Sequence, residues 1–356
     1  MRYRMMKGNK VVVAFIVLVV FACSPKDRDY FGQEVTIVDD IPEIDAIALT
    51  PVREYGFNLS NFNVFGNVLI SHQNQGESHF ILLDIRSGEE LGTMCIRGRG
   101  PDEFISVLPH VGILGETVSV FDFAKMSYYE INLPKTLAEG RTQIENSCSI
   151  EPSRPGQVPY ANVHKLPGGK VIFHDFCYRI GAAEPSLEDI PHYAVFDSGT
   201  GKMIERYPLG GPNCARYLKE HSSHPFLFYP YDCVSPTGEK LCFVLADYPI
   251  YGFIDLQTGA RQLYRIAEKK DHVDGELVYH FSGVCTDGSY LYALYQGRVQ
   301  PSSSEGNTML YVLTWSGEIK TKYVLPGMFS EIQCSDEVLY LRAEDHLYQI
   351  KIQSES

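Results

Sequence analysis

The chain has 356 residues, with 31 basic against 44 acidic side chains and a formal net charge of −13. A surface this acidic repels phosphate backbones, which argues against nucleic acid as a partner. With 44% hydrophobic and 21% charged residues the composition is that of an ordinary globular protein, so disorder does not account for its many turn signals.

At the start, Arg2, Arg4, Lys7 and Lys10 precede an unbroken apolar run over residues 11–22. Twelve apolar residues fall short of the roughly 20 that a helix needs to cross a hydrocarbon core, so the segment reads as a targeting leader and is excluded from the fold. Val20, Phe21, Ala22 and Cys23 resemble the lipobox of bacterial lipoproteins, which implies that Cys23 is lipidated and becomes the new N-terminus. Ser24 stands where an inner-membrane retention signal would carry Asp, so the expected location is the outer membrane, facing either side. Removing the leader leaves 27 basic against 44 acidic residues, a charge of −17. The expected division is a leader over 1–22, a tether over 23–32 and one domain over 33–356. Eight cysteines follow Cys23, none in a CxxC pair, which disfavours a cysteine zinc site. Cys95, Cys242, Cys285 and Cys334 lie in strand-like runs and read as buried free thiols.

Almost no helical periodicity is present, and a recurring unit takes its place. In each unit a β-rich run ends in a polar residue, and after a short polar stretch a second run follows. The pairs are 67–72 with 79–85, 118–122 with 128–133, 170–175 with 193–197, 241–247 with 251–256, 290–296 with 310–315, and 338–344 with 346–352. Taking His72, Asp122, Asp175, Asp247, Gln296 and Glu344 as equivalent gives spacings of 50, 53, 72, 49 and 48 residues. Glycine turns at 86–88, 198–201, 257–259 and 315–317 supply the positive φ of a tight hairpin. Each unit has room for four strands, and six such units predict an all-β, six-bladed β-propeller with four-stranded blades. Asp122 and Asp247 are expected to accept backbone hydrogen bonds in their turns. The last unit stops after its third strand, so an N-terminal strand must enter the last blade and close the ring. The alternating stretch 33–39 is the predicted closing strand.

Gly98, Gly100, Pro101 and Phe104, followed by Pro109, Gly112, the run 120–122 and the run 129–131, resemble the NHL-type propeller repeat. With the lipobox, the mature chain is similar to the TolB-like six-bladed propeller lipoproteins of Bacteroidetes. That resemblance implies a binding or scaffold role in the cell envelope and names no substrate.

Catalytic signatures are sparse. Trp315 is the only tryptophan, so the S-x-D-x-G-x-x-W turns of sialidases cannot recur. A G-x-S-x-G nucleophile elbow is missing, and His221 with His224 is the only close histidine pair, on a loop rather than a helix. Gly98 and Gly100 precede a proline and a strand, so they cannot cradle phosphate at a helix N-terminus. No cofactor or metal is expected, and a non-catalytic binding module is preferred. The alternative is a propeller enzyme, hydrolase or lyase, acting on glycans or peptides, with paired carboxylates meeting at the axis.

The repeat also sorts the connections onto two faces. Turns between first and second strands, and between third and fourth, share one face and are short. The opposite face receives the long segments 97–107, 176–191, 210–229, 267–280 and 296–307. Loops longer than connection requires, gathered by a rigid scaffold, mark a site. Arg97, Arg99, His224, Phe226, Phe228, Tyr229, His272 and Arg298 are the candidate ligand-binding residues on this long-loop face, suited to an envelope protein, a peptide or a glycan.

Overall fold

The computed structural model describes residues 31–44, 47–55, 61–151, 160–175, 190–211, 213–214, 229–267, 272–273, 276–299 and 306–352. An N-terminal arm carries strands β1 (Thr36–Val38), β2 (Glu43–Ile44) and β3 (Thr50–Glu54). Blade 1 follows with β4 (Phe62–Phe65), β5 (Val68–His72), β6 (Ser78–Asp84) and β7 (Glu90–Ile96). Blade 2 has β8 (Gly112–Leu114), β9 (Thr117–Asp122), β10 (Ser127–Asn132), helix α1 (Leu133–Glu139) and β11 (Ile144–Ser149). Blade 3 has β12 (Tyr160–Leu166), β13 (Lys170–Asp175), β14 (His192–Asp197) and β15 (Met203–Pro208). Blade 4 has β16 (Pro230–Val234), β17 (Lys240–Leu245), β18 (Ile250–Asp255) and β19 (Arg261–Ile266). After the short β20 (His272–Val273), blade 5 has β21 (Glu276–Thr286), β22 (Tyr290–Val299), β23 (Asn307–Thr314) and β24 (Ile319–Pro326). Blade 6 has β25 (Glu331–Ser335), β26 (Val338–Ala343) and β27 (His346–Lys351), with β3 as its fourth strand. The protein is a six-bladed β-propeller.

The middle strands of a blade bury both faces, which is why they read as continuous apolar runs. In β9, Val118 and Val120 pack with Phe80, Leu82 and Met94 of blade 1, while Phe121 packs with Val171 and Phe173 of blade 3. In β17, Leu241, Phe243 and Leu245 face blade 3, and Cys242 and Val244 face blade 5. Seven cysteines are described, all free, of which Cys95, Cys214, Cys233, Cys242 and Cys285 are buried; Cys177 lies outside the described residues.

The turns between third and fourth strands repeat one chemistry. Asp84, Asp197 and Asp255 each accept backbone N–H groups two and three residues on, at 2.6–3.1 Å. The glycine four residues on takes a φ near +70° in each, where a side chain would be strained. Gly201 is constrained twice, because a Cβ there would also fall 1.7 Å from the Ser149 carbonyl oxygen of blade 2. Blade 2 departs from the short turn: α1 fills this connection, with the Asn132 side chain capping the Lys135 N–H at 2.9 Å and Gly140 left-handed at its end. On the other face, Asp122 accepts from its own turn at Ala124 and Lys125, as expected, and also from Ile105 and Ser106 in the loop arriving from blade 1. Part of what reads as loop in blade 5 is strand, since Val278 pairs with Val299 and Tyr279 with Arg298 in an extended hairpin.

An N-terminal strand closes the ring in the last blade, but it is β3 and not residues 33–39. β3 pairs antiparallel with β27, Thr50 opposite Gln349 and Glu54 opposite His346. β1 instead pairs parallel with the outer strand of blade 4, and β2 parallel with that of blade 5. The arm therefore passes the rims of blades 4, 5 and 6 in turn, so the strand nearest in sequence to blade 1 is the one that fills blade 6. β3 is hard to recognise because it contains Pro51 and is largely exposed, both tolerated on an outermost strand. β1 and β2 cover edges that would otherwise be free to pair with another chain.

The seam between blades 6 and 1 is fastened by Glu331. Its two carboxylate oxygens accept the N–H groups of Asn61 at 3.0 Å and Phe62 at 3.2 Å, and Arg342 lies 2.8 Å away. Tyr55 is buried beside it with Phe62, Val64, Tyr340 and Leu347. Glu331→Ala should lower unfolding free energy by about 2–4 kcal/mol, because two amides and a guanidinium lose their acceptor. Glu43→Ala, on the exposed rim pair with Lys322, should cost under about 1 kcal/mol. Denaturant titration of both variants checks this, and equal losses would remove the seam from its central place.

Candidate functional site

The first strands of the blades, β4, β8, β12, β16, β21 and β25, enclose a cavity of about 410 Å3 on the ring axis. Small-molecule pockets span about 300–1,000 Å3. All six strands run from the long-loop face towards the short-turn face. The cavity follows them, from His110, Asn162, Tyr231 and Glu331 at one end to Gly115, Gly238, Gly288 and Ser335 at the other.

A buried carboxylate organises the wall between blades 3 and 4. Asp232, with a fully buried side chain, lies 2.6 Å from Nε2 of His164. Its second oxygen accepts the Asn162 amide at 3.0 Å and the Tyr193 hydroxyl at 2.6 Å. Burial acts to raise the Asp232 pKa, but the charge and hydrogen bond of His164 and the bonds from Asn162 and Tyr193 outweigh it and hold the carboxyl below its usual range. Asn162 reaches Asp232 because β12 bulges there and the residue takes φ +41°. His110, just before β8, has its pKa depressed by burial, opposed by Glu331 and Asp232 and reinforced by His164. His174 lies behind this wall, its pKa lowered to about 4 by burial, with its ring 5.3 Å from that of Tyr193.

Sequence-predicted residues are spread over the long-loop face rather than gathered at one point. Tyr229 immediately precedes β16; its ring stands 5.5 Å from that of Tyr231 and 6.3 Å from that of His174, and burial raises its hydroxyl pKa. The Arg97 guanidinium donates to the Gln73 carbonyl, and its backbone N–H to Glu77, so this residue holds blade 1 loops together. Arg99 is exposed. Arg298 belongs to the strand extension of blade 5, not to a loop. His272 lies in β20 with its side chain outside the described residues, where His224, Phe226, Phe228 and Cys23 also lie.

The glycine-proline motif is architectural. Gly98 N–H donates to the Phe104 carbonyl at 3.0 Å, Gly100 N–H to the Glu103 carboxylate at 2.7 Å, and the Lys125 ammonium to the Gly100 carbonyl at 3.0 Å. Phe104 is buried edge-on against Tyr129 of blade 2 at 4.7 Å. His110, Asn162, His164 and Asp232 were missed because each is a single polar residue on a different unit or strand position. Aligning the first strands of the units would have shown polar residues recurring at Asn63, Asn162, Asp232, Ser282 and Glu331. The arrangement is suited to binding. Among the described residues, no serine, threonine or cysteine hydroxyl or thiol is hydrogen-bonded to His164 or His110, and no group of three His, Cys, Asp or Glu side chains is placed to hold a metal ion.

No family model matches the chain, and no curated protein matches it. Among solved structures, it is similar to a member of the DUF4221 family from Bacteroides vulgatus, at 12% identity and a TM-score of 0.57 over 87% of this chain and 96% of that one. It is also similar to a Bacteroides fragilis protein described as exported, at 10% identity and a TM-score of 0.53 over 90% of this chain and 100% of that one. At such identities the likeness establishes a shared propeller fold.

Proposed function

We propose that the protein is a non-catalytic binding module of the cell envelope, held to the outer membrane by lipid on Cys23 and engaging an envelope protein, peptide or glycan through its long-loop face. The observation that carries this reading is the asymmetry of the connections. On the short-turn face, first and second strands are joined by two to five residues, and third and fourth by four or five except at α1. On the other face the connections from β7 to β8, β13 to β14 and β15 to β16 take 15, 16 and 21 residues. A rigid ring that presents its surplus chain on one side is built for recognition. The leader, the lipobox-like sequence and the likeness to a protein described as exported support an extracytoplasmic location. Catalysis at the axis is disfavoured because both oxygens of Asp232 and of Glu331 are already engaged by groups within the protein.

In cells, photo-crosslinkers at the exposed positions Arg99 and Asp102 should yield covalent adducts, while those at Thr200 and Gln257 on the opposite face should not. Adducts confined to Thr200 and Gln257 would overturn the assignment of the face. In the same cells Cys23→Ala should leave the membrane fraction, and continued fatty-acid labelling of that variant would remove the anchor.

If Asp232 is architectural, Asp232→Ala should destabilise the fold by about 3–5 kcal/mol, since it strips a buried partner from His164, Asn162 and Tyr193. Its folded pKa is depressed, so its contribution is complete above the unfolded value of about 3.9 and is lost as pH falls through the folded value. Asp232→Asn should remove that part of the acid sensitivity. Thermal unfolding at neutral and acid pH checks both, and an Asp232→Ala variant as stable as the parent would contradict the role.

A further inference from the structure

The axial cavity supports an inference independent of the long-loop face. Each charged side chain that lines it already has a partner within the protein. Both oxygens of Asp232 and of Glu331 are engaged as described above. Asp287 accepts the Tyr292 hydroxyl at 2.7 Å and the N–H groups of Ser289 and Tyr290 at 2.8 and 2.7 Å. Lys165 lies 2.6 Å from Glu130. Burial depresses the His110 pKa. An ion entering at the end lined by His110 and Tyr231 would lose its hydration and meet carboxylates already engaged by His164 and Arg342, which is costly, whereas Asp287 at the short-turn end is held by neutral donors alone.

The hydrogen-bonding capacity left over is uncharged. Asn63 contributes to the cavity wall but is only 5% exposed, and its amide nitrogen is shut off from the open space. The His110 ring, the Gln333 amide and the Tyr231 hydroxyl line the cavity without a hydrogen-bond partner among the described residues. Between these groups Tyr231 offers an aromatic face, while Val111 and Val163 back the wall from the packing between blades. Directional neutral donors and acceptors set around an aromatic face match a molecule with hydroxyl edges and C–H faces. The volume of about 410 Å3 sits low in the small-molecule range, which suits one or two rings and not a polymer.

We propose that the axial cavity is a binding site for a neutral carbohydrate of one or two rings. Calorimetric titration of the purified mature protein with N-acetylglucosamine and cellobiose, and with glucosamine and glucuronate as cationic and anionic counterparts, tests it. At least one neutral sugar should bind saturably below about 10 mM, and the charged sugars at least about tenfold more weakly. His110→Phe and Gln333→Leu should each weaken the neutral sugar by at least about tenfold while circular dichroism stays that of the parent. Gln257→Ala, exposed on the short-turn face and outside both candidate sites, should leave the affinity unchanged, and sugar affinity lost in Arg99→Ala but kept in the cavity variants would place the sugar on the long-loop face and overturn this proposal alone. Should His110→Phe fail to fold, Gln333→Leu alone decides. Tighter binding of a charged sugar, unchanged affinity in the cavity variants, or no saturable binding by either neutral sugar would overturn the proposal.

Discussion

The ladder between β3 and β27 joins the beginning of the domain to its end, and every other packing surface in the ring depends on it. Each blade buries both of its faces against its neighbours, so no blade is complete until the sixth meets the first. The last unit supplies only three strands, and the fourth has to arrive from the N-terminal arm. Once it does, Tyr55 is carried into the seam, and the N–H groups of Asn61 and Phe62 come within reach of Glu331. A backbone pairing at the rim is thereby converted into a fixed position for the innermost strand of blade 1.

That fixed position makes the axial cavity possible. Inner strands splayed outward at an open seam would leave the axis continuous with solvent, and polar side chains there would need no partners. In the closed ring they do need them, and the chain meets the need with pairs between adjacent blades: His164 with Asp232 across blades 3 and 4, Lys165 with Glu130 across blades 3 and 2, and Glu331 with the start of blade 1. These pairs neutralise charge locally in a chain whose surface is strongly acidic. The cavity is therefore polar, with its carboxylates held by donors within the protein, and the long loops and the cavity offer different chemistries on one scaffold.

Much of the fold was legible because its middle strands face two hydrophobic cores at once. A run such as 241–245 cannot be an amphipathic surface strand, and six such runs in pairs at a near-constant spacing leave few architectures. The closing strand was misplaced because the same logic favours apolar alternation: residues 33–39 show it, and Thr50, Pro51, Val52, Arg53 and Glu54 do not. An outermost strand is held by backbone hydrogen bonds and needs little apolar content, so periodicity is blind to it. The site was less legible still. Asp232 acquires its partners from residues 39 to 70 positions away, through a bulge at Asn162 that no local signal announces. The aspartates of the turns were readable, since their partners lie two or three residues on. Arg97 illustrates the converse, a cation that suggested a ligand and is held by the Gln73 carbonyl.

Native-state hydrogen exchange, resolved to individual amides, tests the closure most directly. If the ring stands or falls with the β3–β27 ladder, the hydrogen-bonded amides of that ladder should exchange only through global unfolding, with the same free energy and denaturant dependence as amides in β9 and β17. β1 and β2, added outside complete blades, should exchange earlier through local opening. Exchange of the β3–β27 amides by a low-energy local opening, with the inner strands still fully protected, would show that the ring holds without its closing strand and would contradict the account.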